Sequence, residues 1–110
     1  MKHRVFFGLM LVVVGVVSCR QADVRTAAIH VPGMKNEACA NLIIKALATQ
    51  QGVYPTQVVV RLEAQTIEVR FDSLTKSLKN LEYCVADAGF DANDIPGKPE
   101  AKNALPPDCR

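Results

Sequence analysis

The sequence predicts a single α+β domain, a sheet covered on one face by two helices, and three patterns carry that prediction. Two alternating runs, Val58-Val59-Val60-Arg61-Leu62 and Thr66-Ile67-Glu68-Val69-Arg70-Phe71, flank the short break Glu63-Ala64-Gln65, as in an antiparallel hairpin. Apolar residues recur at helical spacing in two further places, Leu42, Ile43, Ala46, Leu47 and Leu74, Leu78, Leu81, Val85, Ala88. The hairpin is apolar on one face and mixed on the other, so its cover lies on one side only.

In chain order, Thr26 to Val31 ends in strand alternation, Ile29 and Val31 opposite His30, and stops at Pro32-Gly33. A helix is expected from Glu37 to Gln50, with Asn36 as N-cap and Gly52 as terminator. The hairpin follows. The second helix is expected to start near Asp72-Ser73 and run to Ala88, ended by Gly89. Asp91 to Ile95 could form only a weak last strand, and beyond it Pro96, Gly97, Pro99, Pro106 and Pro107 read as a mobile tail. The order strand, helix, strand, strand, helix, weak strand is the split βαβ arrangement of ferredoxin-like βαββαβ sandwiches. With 110 residues there is room for one such domain.

The first residues have another character. Met1 to Arg4 is basic and Val5 to Val17 is apolar, too short for the roughly 20 residues a spanning helix needs. The run closes on Val16-Val17-Ser18-Cys19, which resembles the lipobox of bacterial lipoproteins. The resemblance implies a signal peptide over residues 1–18, an acylated Cys19 inserted in a lipid bilayer, and a tether over 19–25. The expected domain spans 26–95 and the Pro-rich tail 96–110, held to the cell envelope outside the cytoplasm. Loss of Lys2 and Arg4 leaves eleven basic residues against eleven acidic ones. Such a neutral body offers no field for nucleic acid.

Three cysteines then remain, Cys39, Cys84 and Cys109, an odd number for an oxidising compartment. Around the first of them the chain resembles the heavy-metal-associated domain of copper chaperones, copper-pump N-termini and mercury-binding periplasmic proteins. The resemblance covers about residues 25 to 92 and rests on Val31-Pro32-Gly33-Met34, Cys39-Ala40, Ile43, Lys45-Ala46-Leu47, Gly52-Val53, the Thr66-to-Asp72 strand and Ala86-Asp87-Ala88-Gly89-Phe90-Asp91. It implies a metal loop in which two cysteines, Gly-Met-x-Cys-x-x-Cys, bind a soft ion such as Cu(I) almost linearly. Here Asn36 stands at the first cysteine position and Cys39 at the second. An amide oxygen is a poor donor to Cu(I), and Asn36 reads better as a helix cap. Cys39, in the first turn of a helix, sits where the dipole favours a thiolate.

A second sulfur must then come from elsewhere. Cys84 lies where the family often has alanine and reads first as a small packed residue. Cys109 lies in Leu105-Pro106-Pro107-Asp108-Cys109, a tail like those of some small exported relatives, with reach enough to fold back over the loop. A Cys39–Cys109 pair, as ligands or as a disulfide, is the sharpest expectation, with Cys84 as a lesser candidate ligand. On the same resemblance Met34 packs inward and Phe90 shields the loop.

The implied function is a membrane-tethered carrier or sequestrant of a soft heavy-metal ion, with a metal-donor or acceptor protein as partner. An interaction module of the same fold without metal is the alternative. Thiol redox chemistry is thinly founded without a Cys-x-x-Cys pair, and nothing in the sequence sets up an enzyme: there is no paired-carboxylate site, nucleophile–base arrangement or phosphate loop.

Overall fold

The computed structural model describes residues 21–110, so the expected signal peptide and the Cys19 acylation site lie outside the described residues. The strand β1 (Val24–His30) leads through a turn to helix α1 (Glu37–Ala48); the hairpin strands β2 (Val53–Arg61) and β3 (Thr66–Asp72) follow, then helix α2 (Leu78–Asp87). The three strands form an antiparallel sheet in the order β1-β3-β2, with Ile29 opposite Ile67 and Val60 opposite Ile67 on the other side.

Alternation decides which side chains enter the core. Ala27 and Ile29 of β1 and Ile67, Val69 and Phe71 of β3 are buried, and their neighbours along the strands face outward or only partly inward. They form one cluster with Ala40, Ile43 and Leu47 of α1 and Leu81 and Val85 of α2. The expected ferredoxin-like α+β class is therefore the observed one.

Element ends differ from expectation in instructive ways. Strand β2 begins at Val53 rather than Val58, because a register shift between Tyr54 and Val58 lets the pairing continue past Pro55. Proline has no N–H for a ladder, so it is tolerated on this edge strand at an irregularity. Helix α2 begins at Leu78 and not near Asp72-Ser73. Ser77 is its cap, its hydroxyl accepting from the Asn80 amide while Asn80 accepts from the Ser77 amide, a reciprocal pair that outcompetes the earlier candidates. Asp72 instead caps a turn, accepting from the Leu74 amide and the Thr75 hydroxyl. Leu74, expected on the inner face, is accordingly 61% exposed.

The weak last strand is reduced to one bridge, Ala92 with Ile95. Asn93 replaces it. Its amide donates to the His30 carbonyl, its Oδ1 accepts from the His30 amide (both 2.9 Å), and its Nδ2 donates to Glu82 Oε2 at 2.6 Å. One asparagine thus supplies β1 with the hydrogen bonds a fourth strand would have made there, from a left-handed backbone (φ 51°) that asparagine accepts more readily than most residues. Glu82, buried at 5% exposure, holds it from below and lies 3.3 Å from the Lys79 ammonium.

The tail expected to be mobile carries structure. Helix α3 (Pro99–Ala104) folds back against the end of α2, and a 3-10 turn (Pro107–Cys109) lies against the loop between β1 and α1. Pro99 at the start of α3 is a helix-initiating signal, since its missing N–H would have been unpaired in any case.

Candidate metal centre and its clasp

The loop between β1 and α1 ends in Asn36, whose extended backbone (φ −150°) and side chain start the helix. Its Oδ1 accepts from the Cys39 amide at 2.9 Å. The oxygen that would otherwise face an ion is thereby committed to the helix, as expected of a cap. Met34 is fully buried, as is Phe90 but for 1%.

Cys39 is the third residue of α1 and is bonded to Cys109 through a disulfide, Cα to Cα 5.6 Å, closing 70 residues of chain separation. The expected pairing of these two sulfurs is thus present, in its oxidised form. Both residues are buried, at 0% and 2% exposure. Gly33 makes the approach possible: a Cβ there would lie 3.0 Å from the Cys109 carbonyl oxygen and 3.4 Å from the Phe90 ring. Beside the bridge opens a cleft of about 230 Å³ lined by Pro32, Gly33, Lys35, Phe90, Lys102 and Arg110 among others, with Cys109 but not Cys39 in its wall.

Residues not singled out in the sequence seat the tail. The Asp91 carboxylate accepts from the Gly97 amide (2.7 Å) and from Lys102 Nζ (2.9 Å), joining both flanks of the Gly97 turn. The Lys98 amide donates to the Ala86 carbonyl at the end of α2, and Lys35 Nζ to the Arg110 carbonyl at 3.3 Å. Gly89 (φ 106°) lies so close to α3 that a Cβ would fall 2.8 Å from the Ala101 carbonyl. The readable signal was local, Gly89 and Gly97 bracketing Asp91, but which helix they admit depends on the tertiary path.

The Gly97 amide, and after it Lys102, hold the Asp91 carboxyl below the usual carboxylate range. A depressed folded-state value stabilises above the unfolded pKa, about 4, and that contribution is lost as pH falls through the folded value. Acid unfolding curves of the wild type and Asp91→Asn are therefore expected to differ at neutral pH and converge well below about pH 4. A difference that persists in acid would contradict this role.

Cys84 is not brought to the pair. Its thiol donates to the Ala46 carbonyl at 3.4 Å, about 10 Å further along α1 than Cys39 at 1.5 Å per residue. Burial first, then the Asp87 carboxylate, push this thiol up in pKa, so it stays protonated. The structure thus places Cys84 between the helices, packed against the core and away from the Cys39–Cys109 pair. His30 is exposed, as expected, and no group of three or more His, Cys, Asp or Glu gathers among the described residues.

The sequence matches the heavy-metal-associated domain family over residues 28–91, more than half of the chain. The chain belongs to that family. The chain is 34% identical over 80 residues to the mercuric transport protein periplasmic component of Pseudomonas aeruginosa, covering 73% of this chain and 86% of the relative. Its fold is similar to that of oxidized MerP from Ralstonia metallidurans CH34, with a TM-score of 0.58 at 32% identity, covering 64% of this chain and 96% of the other. A copper binding domain from HMA7, a P-type ATPase, is similar at a TM-score of 0.57 and 30% identity, over 63% and 90% of the two chains. The C-terminal clasp, residues 99–109, lies beyond the matched span of the heavy-metal-associated domain.

Proposed function

We propose that this protein is an extracytoplasmic, membrane-tethered carrier of a soft heavy-metal ion, with Cys39 and Cys109 in their reduced state as the two ligands. The single observation that carries the reading is the convergence of those sulfurs over Gly33-Met34, at the loop of a domain in this family. The disulfide has no thiolate to offer. Two-electron reduction supplies two, and two thiolates suit a soft ion of low coordination number, Cu(I) or Hg(II), better than harder cations. Tethering rests on the lipobox-like Val16-Val17-Ser18-Cys19. The role is taking an ion from a donor protein or handing it to an acceptor, without catalysis.

The test is titration of the reduced chain with Cu(I), and separately Hg(II), against a competing chelator. Cys39→Ser and Cys109→Ser are each expected to weaken binding at least about a hundredfold, because one thiolate cannot complete a two-coordinate site. Cys84→Ser is expected to leave it unchanged. Equal affinity in wild type and Cys39→Ser would overturn the site. A second reading, an interaction module without metal, is favoured by the sealed state of the disulfide and by Asn36 serving the helix. It predicts that the reduced protein binds neither ion.

A further inference from the structure

We propose that the Cys39–Cys109 disulfide is a thiol-exchange site entered from its tail side: an incoming thiol reductant bonds to Cys109 and Cys39 departs as the thiolate. The proposal deepens the metal-carrier reading and rests on it only for the use made of the released sulfurs.

Three observations set this polarity. The first is access. Cys109, at 2% exposure, borders the cleft beside Pro32, Gly33 and Phe90, while Cys39 is fully buried and does not line it. The second is anchoring. Residues 105–110 make their hydrogen bonds chiefly among themselves and to the end of α3: Leu105 amide to Lys102, Cys109 amide to Pro106, Arg110 Nε to Leu105. Beyond α3, among the described residues, the bridge to Cys39, one hydrogen bond from Lys35 and the burial of Leu105 and Cys109 join them to the body. The preceding turn and α3 are held separately through Asp91, Ala86 and Gly89. A short opening at Leu105-Pro106 would therefore turn the Cys109 backbone away from Gly33 and bare its sulfur, with the S–S bond intact and α3 still docked, and such local openings occur far more often than unfolding of the whole domain. Cys39 cannot move in that way, because its amide is bonded to Asn36 and its helix is part of the core. The third is the leaving group. A sulfur in the first turn of a 12-residue helix departs as an anion into the positive end of the dipole, which speeds exchange.

The chemistry balances with a dithiol as co-reactant. Its first thiolate attacks Cys109 Sγ, the Sγ–Sγ bond breaks, and its electron pair leaves on Cys39. The second thiol, deprotonated, attacks the sulfur bonded to Cys109, expelling the Cys109 thiolate. Two electrons pass to the protein, the reductant becomes a cyclic disulfide, and its two protons go to solvent or the new thiolates. An ion can then bridge the two sulfurs. A disulfide-bearing oxidant, reduced to its dithiol, runs the same exchanges in reverse and reseals the loop, so the tail gates the site by redox state.

The test uses the oxidised full chain and glutathione, a monothiol that stops at the first step, with N-ethylmaleimide trapping the liberated sulfur before acid quench. The tryptic peptides 36–45 and 103–110 separate the two cysteines. Glutathione is expected on 103–110 and the maleimide on 36–45, by about ten to one or more. The reverse labelling, or an even split, overturns the proposal. Leu105→Ala, which loosens the segment without altering charge, is expected to speed exchange by about tenfold. The wild-type rate should be insensitive to low urea. A rate that rises along the global unfolding slope would show that the bridge opens only with the whole domain, and would sink the tail-side mechanism. Because no metal is present, failure here leaves the metal titration to stand or fall by itself.

Discussion

Reducing the Cys39–Cys109 disulfide is expected to lower the unfolding free energy by about 4 kcal/mol. The bridge closes a chain separation of 70 residues, and in the chain-entropy account the unfolded state loses freedom with the logarithm of that length, giving about 4 kcal/mol at 25 °C. Set against typical domain stabilities of about 5–15 kcal/mol, this is a large share. The fold is nonetheless expected to persist when reduced, because most of the buried cluster, from Ala27 to Ala92, precedes the tail. Urea unfolding of the oxidised chain, the reduced chain and Cys109→Ser checks this, the last two agreeing with each other. A loss under about 1 kcal/mol would mean that the bridge does not restrain the unfolded chain as described.

Phe90→Ala is expected to cost about 3–5 kcal/mol, the range for removing a fully buried aromatic ring. The ring has a second task. It lies beneath Gly33, in the wall of the cleft beside Cys109, directly after the Gly89 that ends α2 and admits α3. Its loss leaves a void under the loop and under the clasp together. Thermal or urea unfolding measures the first consequence, and faster thiol exchange at Cys109 measures the second. If Phe90→Ala lost stability but exchanged at the wild-type rate, the ring would be a core residue with no hold on the loop.

Much of this architecture was legible because its causes are local. The alternation of Ile67, Val69 and Phe71, the helical spacing of Ile43 and Leu47, the Asn36 cap and the glycines after each helix are short-range signals, and each element they announce is present. The errors arose where two local signals competed or a distant partner decided. Asp72-Ser73 and Ser77 are all capping residues, and only Ser77 has Asn80 placed to answer it. Asp91 to Ile95 reads as only a weak strand, and Asn93 satisfies the β1 edge with one residue before the chain turns away.

For the site, the sequence alone determined the chemistry on offer: a helix-start thiol at Cys39, an amide in place of a sulfur at Asn36, and a proline-bordered cysteine at Cys109. Spacing could say that Cys109 was able to reach the loop, since reach follows from chain length. Only the tertiary structure decided that it does, and that Cys84 does not share the site. That decision rests on packing between residues far apart in sequence: Gly33 leaving room for the Cys109 backbone, Gly89 for α3, and Asp91 and Lys102 holding the turn between them. Close approach of two backbones depends on the shape of both surfaces at once, and no single stretch of sequence contains both.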